Sequence, residues 1–159
     1  MRKVLFAIAV LVTVQGLALG QTSSERRGWG YVFAGVGGRS NDSDVLINVG
    51  GGGEGYFGNG VGLGGEIGYL TTKDSSSEGF GLASVNTSYH FLRSQKVVPF
   101  VTGGASLAFR QSALGGGNFG GGAHYWMSDR LGLRFEVRDH IFSSDSPHTV
   151  IFRVGLTFK

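Results

Sequence analysis

The segment that most constrains this chain is 149–158, where apolar residues occupy every second position. Side chains alternate between the two faces of a β-strand, so a period of two sorts them onto opposite sides of a sheet. Here one face carries only apolar residues, whereas the other carries the charged Arg153. The apolar face holds Val150, Phe152, Val154, Leu156 and Phe158, and the other holds Ile151, Arg153, Gly155 and Thr157.

The segment 131–138 repeats this pattern, with four apolar residues opposite three charged residues and a glycine. The faces are Leu131, Leu133, Phe135 and Val137 against Gly132, Arg134, Glu136 and Arg138. A soluble barrel has the reverse arrangement, because its interior is apolar. In lipid, strands must close into a barrel so that every backbone polar group is bonded within the protein. The two segments therefore predict a barrel that spans a membrane, with charges inside.

Composition narrows the remaining choices. The chain of 159 residues suffices for one domain, and without cysteine it forms neither disulfides nor thiolate metal sites. The net charge is only +3 and no basic stripe is visible, which argues against nucleic acid as a partner.

The first residues predict a secretory signal. Arg2 and Lys3 precede the apolar run 4–14, and Ala18 and Gly20 are small residues suited to cleavage before Gln21. The alternative is an anchoring helix, but the run is short for a span of about 20 residues. We expect an exported protein with three parts. They are a signal peptide at 1–20, a flexible leader at 21–27 and a barrel domain at 28–159.

The mature chain alternates apolar and turn-like segments, which predicts an all-β, eight-stranded antiparallel up-and-down transmembrane barrel. The predicted strands are 28–37, 45–57, 61–70, 79–91, 97–109, 118–127, 131–142 and 149–158. Short connections at 58–60, 93–96 and 128–130 alternate with longer ones at 38–44, 71–78, 110–117 and 143–148. We expect the glycines at 115–117 to lie in a loop, whereas those at 50–53 fit a strand or a linker equally well.

Aromatic residues cluster near the predicted strand ends, as expected of the two belts where a barrel crosses the membrane interfaces. The belt beside the short turns comprises Trp29, Tyr31, Tyr56, Phe57, Tyr89, Phe91, Phe100, Tyr125, Trp126 and Phe158. The belt beside the longer loops comprises Tyr69, Phe80, Phe109, Phe119 and Phe142.

The strand register places charged side chains inside the barrel, where they must pair because an isolated buried ion is very costly. Ser84, Asn86, Ser88, His90 and Thr102 are also expected to face inward. We expect a lumen network that plugs the barrel, and the alternative is a polar path for small solutes. The network residues are Glu66, Arg134, Glu136, Arg138 and Arg153.

The sequence offers little support for catalysis, a metal or a cofactor. The four histidines, His90, His124, His140 and His148, show no metal-ligand spacing. His124 and Ser128 are too far apart along an extended chain, and Asp139 and His140 point to opposite faces. Acidic loop residues could bind divalent cations weakly, but ordinary solvated loop charge explains them better. These residues are Asp42, Asp44, Asp74, Glu78 and Asp145.

The segment 118–140 resembles the bacterial outer-membrane β-barrel domain family, the small eight-stranded barrels of the OmpA/OmpX type. Its Gly-rich strand, tight turn and Gly-Leu-Arg-Phe-Glu-Val-Arg-Asp stretch at 132–139 carry the resemblance. The resemblance implies location in the outer membrane of a Gram-negative-type envelope, contact with its lipid, and insertion by the barrel assembly machinery. That machinery reads an aromatic-ended last strand, which here points to Val154, Gly155, Leu156 and Phe158.

We therefore expect a structural or surface-interacting outer-membrane barrel without catalysis. The sequence identifies no external ligand. The alternatives are a narrow pore for small solutes, a soluble periplasmic lipocalin-like ligand-binding barrel, and a lipid-modifying enzyme.

Overall fold

The computed structural model describes residues 28–40, 44–57, 60–73, 75–92, 94–110, 112–142 and 148–159, without the side chains of 75–78. Within these ranges the chain forms eight strands that close into one barrel. The strands are β1 (Gly28–Arg39), β2 (Leu46–Tyr56), β3 (Val61–Thr72), β4 (Ser75–His90), β5 (Val97–Phe109), β6 (Ala113–Trp126), β7 (Leu131–Ile141) and β8 (Thr149–Phe158). The predicted signal peptide and leader lie outside the described residues.

Each strand pairs antiparallel with its neighbours in the chain, and the first strand pairs with the last. In that closing pair Gly30 lies opposite Phe158 and Arg39 lies opposite Thr149. Closure bonds the backbone of every strand on both sides and leaves no open sheet edge, as a bilayer requires. The predicted fold class is confirmed. None of the described residues belongs to a helix long and apolar enough to cross a membrane.

All eight predicted strands are present, but two hairpins are longer than expected. β6 begins at Ala113, so glycines 115–117 are strand residues and their prediction as a loop is wrong. Phe109 pairs with Ala113, so the β5–β6 hairpin extends to a turn of three residues. An antiparallel hairpin can continue wherever the two backbones form hydrogen bonds with each other. Only residues 73–74 connect β3 to β4, so the expected alternation of short and long connections fails. Glycines 50–53 also lie in a strand, within β2.

The two faces of the wall have opposite character, as the alternation predicts. Along β8 buried and exposed residues alternate without a break, and the Arg153 side chain lies inside while Val154 lies outside. Arg153 is 3% exposed and Val154 is 53% exposed. Large apolar side chains such as Phe135, Leu156 and Val101 also cover the exterior. The outer surface therefore suits hydrocarbon.

The prediction of the aromatic belts is partly wrong. Trp29, Tyr31 and Phe100 are buried inside the barrel. Tyr56 and Trp126 pack against the buried cluster that Trp29 and Tyr31 form with Phe33. Each of these residues occupies one of the alternate strand positions that face inward. Proximity to a turn does not change which face a residue occupies. Tyr89, Phe91, Tyr125 and Phe158 are exposed near the short turns, and Tyr69, Phe109 and Phe119 are exposed at the other end.

Glycine gives the narrow interior room for large inward side chains. A Cβ at Gly122 would lie 2.9 Å from the Cα of Glu136, and one at Gly104 would lie 2.8 Å from the Cα of Asn86. Both distances are shorter than real Cβ contacts allow. An eight-stranded barrel has an interior only just wide enough for side chains, so these close approaches let the charged residues fit.

Candidate functional site

Five charged residues meet at the centre of the lumen, and we call them the central ion cluster. It comprises Glu66 on β3, Arg134, Glu136 and Arg138 on β7, and Arg153 on β8. All five are buried. Alternation places the three residues of β7 on one face, and closure brings β3 opposite β7 across the lumen.

Glu136 binds all three arginines. Its Oε2 accepts hydrogen bonds from Arg134 Nε at 3.0 Å and from Arg153 Nη2 at 2.8 Å. Its Oε1 accepts one from Arg138 Nε at 2.7 Å, and Arg138 Nη2 donates to the same oxygen. Hydrogen bonds between ionised partners are roughly twice as strong as neutral ones, so this carboxylate is the hub of the cluster.

Glu66 connects the opposite wall to the same arginines. Its Oε1 accepts hydrogen bonds from Arg138 Nη1 at 3.1 Å and from Arg153 Nη1 at 2.9 Å. Its Oε2 accepts from Arg153 Nη2 at 3.2 Å and from the Tyr31 hydroxyl at 3.0 Å. Each carboxylate of the cluster is therefore shared by at least two cations.

Aromatic rings cover the guanidinium planes of the cluster. The Arg134 carbon Cζ lies 4.2 Å from the ring centroid of Phe100 and 4.6 Å from that of Tyr31. Arg153 Cζ lies 4.2 Å from the Phe33 centroid. Such cation–π contacts are stronger when both partners are desolvated, and here they also fill the space beside the ions.

His124 extends the cluster toward the end of the barrel that carries the termini. Its Nε2 lies 3.0 Å from Arg134 Nη1, and its Nδ1 lies 3.3 Å from the Thr157 hydroxyl. Because arginine can only donate, Nε2 must accept and the proton lies on Nδ1. The imidazole thus completes the hydrogen bonding of a cation.

A second buried carboxylate, Glu54, lies at the same end of the lumen. The Glu54 Oε1 atom lies 2.6 Å from His90 Nε2 and accepts a hydrogen bond from the Ser88 hydroxyl at 2.5 Å. The indole of Trp29 packs against the imidazole of His90, with ring centroids 5.1 Å apart. Polar and aromatic side chains therefore fill the barrel on this side of the central ion cluster.

On the loop side of the central ion cluster, the lumen holds neutral polar groups. The Ser106 hydroxyl lies 2.9 Å from that of Ser84 and 3.1 Å from His140 Nδ1, and it accepts a hydrogen bond from Asn118 Nδ2 at 2.8 Å. A small apolar cluster is buried at this end of the barrel. It consists of Leu46, Leu70 and Ile151, with Phe80 packed against them.

The residues that the sequence predicted to face the lumen are buried inside the barrel. The five network residues lie together, and Ser84, Asn86, Ser88, His90 and Thr102 are buried inside as their alternation indicates. In the proposed assembly signal Val154, Leu156 and Phe158 point outward, whereas Gly155 points inward.

Glu54 was not predicted to be a lumen residue. It lies an even number of residues from Leu46 and Asn48 along β2, and therefore faces inward as they do. The run of glycines at 50–53 hid that alternation. Tyr31 was missed as a partner of Glu66 because it was counted as a belt residue. A strict count from the strand start would have found both side chains.

The candidate chemical groups are dispersed. His90, His124 and His140 lie in separate contacts inside the lumen, and His148 lies outside it. The Ser128 hydroxyl accepts a hydrogen bond from the backbone N–H of Leu131 at 3.1 Å, which is a turn contact. Asp44 is exposed, and Asp42, Asp74, Asp145 and the side chain of Glu78 lie outside the described residues. In the described part of the chain, no three His, Cys, Asp or Glu residues are grouped to hold a metal ion.

Comparison with solved structures identifies the architecture. The N-terminal β-barrel domain of Pseudomonas aeruginosa OprF matches 85% of this chain and 100% of its own, with a TM-score of 0.61 and 15% identity. Neisserial surface protein A matches 83% of this chain and 95% of its own, with a TM-score of 0.65 and 14% identity. Ail of Yersinia pestis matches 82% and 95%, with a TM-score of 0.56 and 13% identity.

By fold, this chain is an eight-stranded outer-membrane β-barrel. No family model matches the sequence, and no curated protein matches it either. At these identities the likeness concerns the fold alone. The apolar exterior and the closed antiparallel wall assign the barrel to the outer membrane, in contact with its lipid. The alternative of a soluble lipocalin-like barrel is wrong, because the ions lie inside and the apolar side chains outside.

Proposed function

We propose that this outer-membrane barrel has a structural or surface-interaction role and that its lumen is plugged rather than conducting. One observation carries the proposal: Glu66 on β3 binds Arg138 on β7 and Arg153 on β8. β3 and β7 are four strands apart in a ring of eight, so the contact crosses the lumen. Side chains that meet from opposite walls leave little room for an ion with its hydration shell.

The packing on both sides of the central ion cluster supports the same role. Aromatic rings and the Glu54–His90 contact fill one side, and hydrogen-bonded serines with an apolar cluster fill the other. In a barrel of this kind the connecting loops are the parts free to vary and to meet partners. Surface interaction would therefore come from the connections at 40–45 and 142–148.

Conductance in a planar lipid bilayer tests the plug. The purified wild-type barrel should give no resolved conductance steps, because the paired ions occupy the lumen. The double substitution Glu66→Gly and Arg138→Gly should produce steps, since it removes the cross-lumen contact and frees volume. A matched control with Leu63→Gly and Val137→Gly, on the outer face of the same strands, should stay silent. Wild-type steps equal to those of the lumen variant would refute the plug and favour the narrow pore.

We also propose that the barrel assembly machinery recognises the end of β8, at Val154, Gly155, Leu156 and Phe158. The exposed alternate apolar positions and the terminal aromatic support this. In cells, Phe158→Ala should lower the amount of folded, membrane-inserted barrel several-fold. Phe152→Ala, which removes an equally outward phenyl ring from the middle of β8, should have a smaller effect. Equal insertion of both variants, measured by protease resistance of membrane fractions, would contradict the assignment.

A further inference from the structure

We propose that half of the rim at the short-turn end of the barrel, the end that carries the termini, binds the headgroups of anionic phospholipids. The surface consists of Lys96, Arg130 and Lys159, which we call the basic arc, and all three residues are exposed. This preference for one class of lipid goes beyond the structural role proposed above. It does not depend on whether the lumen is closed.

The charges outside the lumen are distributed unequally between the two ends of the barrel. At the short-turn end the sequence has four basic residues and one acidic residue, namely Arg93, Lys96, Arg130 and Lys159 against Asp129. At the loop end it has three basic and six acidic residues, namely Arg39, Lys73 and Arg110 against Asp42, Asp44, Asp74, Glu78, Asp139 and Asp145. With histidine neutral, the side-chain charge is thus +3 at the short-turn end and −3 at the loop end. A partner of the short-turn end is therefore expected to be anionic.

The basic arc is continuous around half of the rim. The backbone N–H of Trp126 donates to the carbonyl oxygen of Lys96 at 2.8 Å, and that of Lys159 donates to the carbonyl oxygen of Arg130 at 3.0 Å. These bonds join the β4–β5 turn to the end of β6 and the β6–β7 turn to the end of β8. The third turn at this end, 57–60, has no charged residue in its sequence. Within the described ranges, positive charge at this rim therefore lies on the half formed by β5 to β8.

Two cations of the basic arc have no counterion in the barrel. The side chains of Lys96 and Arg130 form no ion pair with any residue of the described part of the chain. The ammonium of Lys159 lies 4.0 Å from the ring centroid of Trp126, which keeps it at the rim. Asp129 is the acidic neighbour of Arg130 and is exposed as well. Lys96 and Arg130 are thus available to an external anion.

The position of the basic arc at the edge of the apolar wall determines which anion it meets. Each of its residues is adjacent in sequence to an exposed, outward apolar residue, and these neighbours are Val97, Leu131 and Phe158. Lysine and arginine can keep their apolar stems against acyl chains while their charged groups reach the headgroups. Arginine binds phosphate through two parallel hydrogen bonds, and lysine binds it as a point charge. The phosphates of the lipids that cover the wall are therefore the anions within reach.

Native mass spectrometry of the folded, purified barrel tests the proposal, with equimolar phosphatidylglycerol and phosphatidylcholine as the probes. The wild type should retain phosphatidylglycerol in preference to phosphatidylcholine. Lys96→Gln combined with Arg130→Gln should reduce that preference about five-fold for each cation removed, the effect of one basic residue near an anionic surface. Raising the salt concentration should weaken the wild-type preference, because exposed charges are screened.

Lys73→Gln combined with Arg110→Gln is the matched control. Both residues are exposed at the loop end, so the variant loses the same charge as the basic-arc variant but from the opposite rim. It should keep the wild-type preference for phosphatidylglycerol. All four substitutions alter exposed side chains, and protease resistance of the folded barrel verifies that neither variant is misfolded.

Three results would overturn the lipid site. They are equal retention of the two lipids by the wild type, an unchanged preference in the basic-arc variant, and an equal loss in both variants. Co-sedimentation with isolated peptidoglycan examines an anionic polymer as the other occupant. If the basic-arc variant loses binding to peptidoglycan while the wild type retains both lipids equally, the arc binds the cell wall and the lipid site is wrong. Conductance is measured separately, so failure of the lipid site leaves the plugged lumen standing.

Discussion

Glu136→Gln should lower the free energy of unfolding of this barrel by about 3–5 kcal/mol, the cost of breaking a buried ion pair by removing one partner. Glu136 accepts hydrogen bonds from Arg134, Arg138 and Arg153. Without its charge, three guanidinium groups face the single carboxylate of Glu66 in a desolvated space. Denaturant unfolding of the barrel in detergent micelles, followed by tryptophan fluorescence, measures the difference. The fluorescence reports on the lumen because Trp29 is buried there.

Glu54→Gln is the matched control. Glu54 is also a buried lumen carboxylate, but its hydrogen-bond partners are Ser88 and His90. A neutral amide can keep one of these hydrogen bonds, so the expected loss is about 1–2 kcal/mol. If Glu136→Gln unfolds at the same denaturant concentration as the wild type, the central ion cluster does not stabilise the barrel. If both variants lose equally, general burial of carboxylates explains the effect.

The fold was predictable because one periodic signal specifies it. The alternation in 149–158 and 131–138 places each side chain on a face, and a one-residue error in register would expose every ion to lipid. Strand ends were less predictable. Neither the extension of β6 to Ala113 nor the short turn after β3 follows from composition, because glycine is typical of both loops and closely packed strands.

The lumen residues were predictable as a set but not as contacts. Alternation placed Glu66 inside, yet only closure of the barrel shows that it faces Arg138 across the lumen. Tyr31 was assigned to a belt because it lies near the start of a strand. Its place in the strand alternation, which faces the lumen, was the better guide. The contact of Asp139 with His148 depends on the register of β7 against β8, and nothing in the local sequence indicates it.

Val154→Arg should lower the free energy of unfolding in lipid vesicles by about 2–4 kcal/mol, the cost of an arginine at the bilayer midplane. Val154 lies in the middle of β8, faces outward, and pairs with Ala34 on one side and Phe135 on the other. An arginine at this outward position has its charge in hydrocarbon. It has no partner for that charge, because the carboxylates inside the barrel are already paired with the lumen arginines. On a soluble barrel the same exposed substitution would cost almost nothing.

Leu131→Arg provides the control for depth. Leu131 is also an exposed, outward apolar residue, but it begins β7 at the end that carries the short turns. Because the cost of a lipid-facing arginine falls to about 0–1 kcal/mol near the interface, this variant should remain close to the wild type. Equal losses in the two variants would mean that the wall does not cross the hydrocarbon as proposed. A large loss at Val154 with a small one at Leu131 would establish both the direction in which the wall faces and its depth.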